Sequence, residues 1–191
     1  MGIAQTLNRS MILRESSSKH WDEGDFRVVF FQHYARIVGM LVRLLGDRSP
    51  AEEVANDAFL RLYRQPALQF EGNVGGWLYR TASNLGIDAL RASSRRRQYE
   101  ESAGRLVAER VTTGPLDELL REEKRHRVRA VLVSIKPAQA QLLVLRASGL
   151  SYKELAEALD VKVSGIGTML NRAEAEFRNR YLGLHPNEEE L

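Results

Sequence analysis

Residues 149–182 constrain the fold of this chain more than any other stretch. Ser151 stands where a helix would open and Glu154 follows three residues later, a pairing in which each side chain can accept from the other's backbone N–H. Leu155, Ala156 and Leu159 then recur at helical spacing, Asp160 and Val161 make a turn, and Ile166 and Leu170 resume the apolar stripe. Two helices joined this tightly form a helix-turn-helix, whose second helix faces outward and can reach base edges in a major groove. A plain helical hairpin in an all-α core would show the same pattern, so the remainder of the chain decides between the two.

With 191 residues there is room for one or two small cores. The absence of cysteine excludes disulfides, thiolate metal sites and cysteine nucleophiles, and it fits a reducing compartment. His20, His33, His126 and His185 are scattered without the spacing of a metal site and read as solvated surface residues. Apolar runs never reach 18 residues, and Gln5, Asn8, Arg9, Arg14 and Glu15 interrupt the start, so a soluble cytoplasmic protein without membrane insertion is expected. The formal charge of +3 hides a local asymmetry between Arg95-Arg96-Arg97 and Glu188-Glu189-Glu190. Local basic clusters of this kind suit a polyanionic partner.

Residues 1–24 are polar and read as a loose leader. From there Phe26, Phe30, Ile37, Leu41, Leu44 and Leu45 predict a helix that stops at Gly46-Asp47. A second helix is expected after a Ser49-Pro50 start, with Ala51, Val54, Ala55, Ala58, Phe59 and Leu62 inward. After a loop through Phe70, a third carries Val74, Trp77, Leu78, Ala82, Leu85 and Ala89 inward and closes in the arginine cluster. Between residues 25 and 99 no lysine occurs; arginine suits phosphate because its planar fork can bond two oxygens at once. Residues 100–115 lose periodicity and read as a flexible linker. Further helices follow from Leu116 to Ile135 and from Pro137 to Arg146, ahead of the helix-turn-helix, and an acidic tail occupies 183–191.

Enzymatic readings find little support. The glycine-rich run from Gly72 to Gly76 has neither a preceding strand nor the lysine of a phosphate-cradling loop, and the pairs Glu52-Glu53 and Glu122-Glu123 point to different helix faces. Neither a catalytic residue, a metal ligand nor a cofactor is expected.

Three stretches in order give the chain a family likeness: LLGDRSPAEEVANDAFLRLY at 44–63, GWLYRTASNLGIDALR at 76–91, and PAQAQLLVLR at 137–146 with GLSYKELA at 149–156. They resemble, respectively, the polymerase-binding helix, the −10 region and the −35 domain of bacterial sigma factors of the extracytoplasmic-function type in the sigma-70 family. The likeness covers residues 26 to about 181. It implies an all-α fold of two helical domains, region 2-like at 25–99 and region 4-like at 116–182. Core RNA polymerase and promoter DNA are the partners it implies, with an anti-sigma factor as a further one.

Carried residue by residue, the resemblance places polymerase binding on Glu53, Asn56, Asp57 and Arg61, where Asn56 and Asp57 replace the family's common glutamine and glutamate. It places −10 contacts on Phe70, Arg80, Asn84, Asp88, Arg91, Arg95, Arg96 and Arg97, with Phe70 and Asn84 matching the pocket that captures a flipped base. Trp77 reads as core. On the recognition helix Gly167 and Met169 stand where basic residues are common, which leaves Lys162, Ser164, Thr168, Asn171 and Arg172 as the −35 candidates. A stand-alone helix-turn-helix regulator is the alternative, and it would bind duplex DNA without polymerase.

Overall fold

The computed structural model describes residues 21–70, 73–103 and 116–186. Seven α-helices occupy them: α1 Glu23–Leu45, α2 Arg48–Arg64, α3 Val74–Ser102, α4 Leu116–Ser134, α5 Pro137–Ala147, α6 Tyr152–Leu159 and α7 Val163–Leu184. A 3-10 turn, Ala67–Phe70, precedes α3, and no strand occurs among the described residues.

Local chemistry sets the helix ends. Gly46 ends α1 in the left-handed region at φ 86°, its N–H bonded to the Val42 carbonyl, an end that glycine reaches without a Cβ penalty. Asp47, rather than the expected Ser49, caps α2: its carboxylate accepts from the Ser49 N–H at 3.0 Å, so the helix begins at Arg48 with Pro50 inside its first turn. The stronger acceptor two residues upstream takes the cap. The expected leader also ends early, because Trp21 donates its indole N–H to the Leu62 carbonyl at 2.9 Å and packs on Phe26 and Phe70. Residues 1–20 and 187–191, with most of the expected linker, lie outside the described residues.

Helices α1, α2 and α3 pack mutually around Ile37, Leu41, Ala55, Phe59, Leu62, Leu78 and Ala82, all buried. Helix α1 is long and apolar enough in composition to cross a membrane, yet Ile37, Met40, Leu41 and Leu44 are spent on this core. Gly86 of α3 marks the tightest crossing, since a Cβ there would lie 2.6 Å from Leu41 Cδ2 and 2.8 Å from Leu44 Cδ2. The second set, α4 to α7, closes around Val131, Leu142, Leu145, Leu155, Ile166, Leu170 and Tyr181.

The two sets meet along α3, which contacts α4, α5 and α6. Ser83 and Gln141 are the buried polar residues of this seam: the Gln141 amide donates to Ser83 Oγ at 3.0 Å and to the Arg80 carbonyl at 3.1 Å. Arg91 donates to the Ile135 carbonyl at 2.9 Å, and Asn73 to the Glu157 carbonyl at 3.1 Å. At the far edge the Arg129 guanidinium lies against the Gly46 cap of α1.

Candidate nucleic-acid interface

Three polar surfaces are built on this scaffold. On α2 the buried stripe Ala51, Ala55, Ala58, Phe59 and Leu62 fixes the helix rotation, so that Glu53, Asn56 and Arg61 are exposed and Asp57 half-buried. Arg61 pairs with Asp57 at 3.0 Å, and Arg48 with Glu52 at 2.7 Å, both one turn apart and open to water. Leu60 and Tyr63 stay exposed beside these charges, which gives the face an apolar element that the sequence pattern did not flag.

On α3 the expected −10 residues separate into two groups. Arg80, Asn84, Asp88, Arg95, Arg96 and Arg97 are exposed. Asn84 and Asp88 share a shallow notch with Thr81, Trp77, Arg61 and Arg64 from the end of α2. Trp77, expected in the core, is half-buried and forms one wall of this notch. Arg91 is turned to the Ile135 carbonyl across the seam, and Arg97 contacts His126 of α4. Phe70 is 6% exposed, its ring between Trp21 and Trp77 at centroid distances of 5.7 and 5.4 Å, so it supports the notch from behind rather than offering a face to a base. Ser83 and Ile87 of the same helix are buried.

The third surface is the helix-turn-helix. Ser151 Oγ accepts from the Glu154 N–H at 3.3 Å and a Glu154 carboxylate oxygen accepts from the Ser151 N–H at 2.7 Å, the reciprocal cap expected from the sequence. Those hydrogen bonds, the backbone one first, hold the Glu154 carboxyl below its usual range. Asp160 closes α6 in the left-handed region at φ 56°, a conformation that Asp tolerates better than most residues, and this sets the sharp turn into α7. Ile166, Leu170 and Ala173 anchor α7, which leaves Lys162, Ser164, Thr168, Asn171 and Arg172 exposed on one side.

His33 departs from its expected place on the solvated surface. It is half-buried, edge-on to Tyr79 and close to Gly75, and burial followed by the charge of Arg36 lowers its pKa. Among the described residues no cluster of three or more His, Asp or Glu side chains could hold a metal ion.

Comparison with known proteins gives these surfaces a common setting. The family described as Sigma-70 region 2 matches residues 29–96, and Sigma-70, region 4 matches residues 125–177. The chain is 28% identical over 179 residues to the ECF RNA polymerase sigma factor SigE of Mycolicibacterium smegmatis, covering 91% of this chain and 66% of that protein. It is 26% identical over 165 residues to the ECF RNA polymerase sigma factor SigK of Mycolicibacterium vanbaalenii, with 84% and 83% covered. With the RNA polymerase sigma factor YlaC of Bacillus subtilis it shares 28% over 153 residues, 78% of this chain and 88% of that one. A solved complex of the sigma factor RpoE with the anti-sigma factor NepR from Bartonella quintana aligns over 86% of this chain and 99% of that chain, at 20% identity and a TM-score of 0.45. Region 2 on α1 to α3 and region 4 on α4 to α7, in family order, together take up most of the described helices, and the chain belongs to the sigma-70 family of RNA polymerase sigma factors, in its extracytoplasmic-function group.

Proposed function

We propose that this chain is an alternative sigma factor that binds core RNA polymerase and directs it to initiate transcription at specific promoters, acting in the cytoplasm and without catalysis of its own. The observation that carries this reading is the pairing of outward polar faces, on α2 and on α7, with apolar faces already consumed in the core. Glu53, Asn56, Asp57 and Arg61 form the polymerase-docking face. The notch of Asn84 and Asp88 receives a base of the −10 element, while the exposed arginines at 95–97 hold flanking phosphates. Lys162, Ser164, Thr168, Asn171 and Arg172 face the −35 element. An anti-sigma protein is a natural regulator of such a factor.

Run-off transcription from a promoter library with purified core polymerase, with and without this protein, tests the reading. Initiation that requires the protein supports it; tight duplex binding with no effect on polymerase would identify a stand-alone regulator instead. The double variant Asn56→Ala, Asp57→Ala is expected to weaken core binding about tenfold or more at unchanged melting temperature, as removal of central polar contacts does at other interfaces. Unchanged core affinity would remove these residues from the docking face.

A further inference from the structure

The first two turns of α7 carry Gly165 and Gly167, and nothing among the described residues asks for either glycine. Left-handed backbone among the described glycines is confined to Gly46 and Gly149. A Cβ built on Gly165 would meet nothing within 4 Å, and one on Gly167 only the Tyr152 ring at 3.9 Å, an ordinary contact. Gly86 shows what a packing demand looks like, with two leucine methyls under 3 Å from its Cβ position. Gly183 is equally open, but it lies at the end of α7, where helices fray. Each interior glycine destabilises a helix relative to alanine, so this segment is weakened where the helix-turn-helix would meet its ligand.

What remains on these turns is equally informative. Residues 163–170 include no Arg, Lys, Asn, Gln, Asp or Glu, so no side chain there can make the paired hydrogen bonds that read guanine or adenine. They offer instead Val163, 48% exposed, the methyl and hydroxyl of Thr168, and the hydroxyl of Ser164. An exposed valine at the start of a recognition helix matches the one apolar group on the major-groove floor, the thymine C5-methyl. Lys162 provides no side-chain cap to α7, while Lys162, Asn171 and Arg172 flank the apolar section with groups suited to phosphate.

We infer that the −35 surface of this chain recognises thymine methyl groups by close contact: Gly165 and Gly167 let the backbone of α7 sit deeper in the major groove than alanine would permit, and Val163 and Thr168 set the specificity. The inference rests on the sigma-factor reading of α7 and names what its −35 target contains.

The test uses reconstituted holoenzyme on a promoter selected by the wild-type protein, and on a premelted −10 fork that lacks the −35 element. Gly165→Ala is expected to raise the melting temperature of the chain, to lower complex formation on the duplex promoter about tenfold, in the range of one mismatched base pair, and to leave the fork unaffected. Replacing −35 thymines one at a time by deoxyuridine removes only the methyl, and is expected to weaken wild-type binding roughly fourfold at one or two positions, about one buried methyl group each. That penalty should vanish in Val163→Ala or in Thr168→Ser, which keeps the hydroxyl. Wild-type or better −35-dependent activity of Gly165→Ala, or uniform indifference to deoxyuridine, overturns the inference while the sigma-factor reading stands. Failure of the wild-type protein to support any promoter-dependent initiation overturns both.

Discussion

Helices α3 and α7 both carry expected DNA contacts, but they are held in opposite ways. Along residues 78–91 helix α3 is gripped on most of its circumference: Leu78 and Ala82 face the core of the first set, Gly86 is pressed on α1, and Ser83 and Arg91 bond to the second set, with Ile87 buried one turn from each. Along residues 78–91 only the side carrying Arg80, Asn84 and Asp88 is left for a ligand. Helix α7 gives one stripe, Ile166, Leu170, Ala173 and Tyr181, to its core and keeps the opposite side open from Ser164 to Arg172. The difference teaches that a helix used as an internal strut can present a narrow, rigid recognition edge, whereas a terminal helix can present a broad one that tolerates change.

Substitutions can break or sharpen this contrast. The largest effect is expected from Ile87→Ala, which removes a 2% exposed side chain from the seam side of α3 and should cost about 2–4 kcal/mol in urea unfolding. A loss under about 0.5 kcal/mol, typical of surface positions, would mean that α3 is not gripped there. Gly86→Ala comes next: overpacking against Leu41 and Leu44 is expected to destabilise by about 1–3 kcal/mol, offset by roughly 1 kcal/mol of helix propensity. Stabilisation by this change, measured as a raised melting temperature, would contradict the tight crossing. The smallest effect belongs to α7, where Thr168→Ala should leave stability within about 0.5 kcal/mol while promoter binding by holoenzyme falls.

Much of this architecture was legible in the residue pattern. The inward stripes of α1, α2 and α7 follow from 3.6-residue periodicity, and the Ser151–Glu154 cap is a local exchange that needs no tertiary knowledge. The residues expected to dock polymerase on α2 and those expected to face the −35 element on α7 lie on the outer sides of their helices, where helix rotation puts them. What the pattern could not supply was the seam. Ser83, Arg91 and Gln141 are polar residues at helical spacing, indistinguishable in sequence from solvated positions, and only the packing of α3 against α5 and the α4–α5 junction turns them inward. Trp21 and Phe70 were misplaced for a related reason, since each sits outside the periodic segments and is recruited by an aromatic cluster assembled from distant helices.

The Gln141–Ser83 latch has a consequence for how far this molecule can stretch. Elements at −10 and −35 lie about 25 base pairs apart, or about 85 Å of duplex at ~3.4 Å per pair. A compact body of this length has a radius of gyration of only about 16 Å. On the proposed reading, in which α3 faces the −10 element and α7 the −35 element, the latched form is too short to touch both at once, and the halves would have to part. Water would satisfy the amide and hydroxyl groups released by such a parting, whereas the buried Ile87 side chain would be bared, so the seam resists opening through its apolar residue more than through its polar pair.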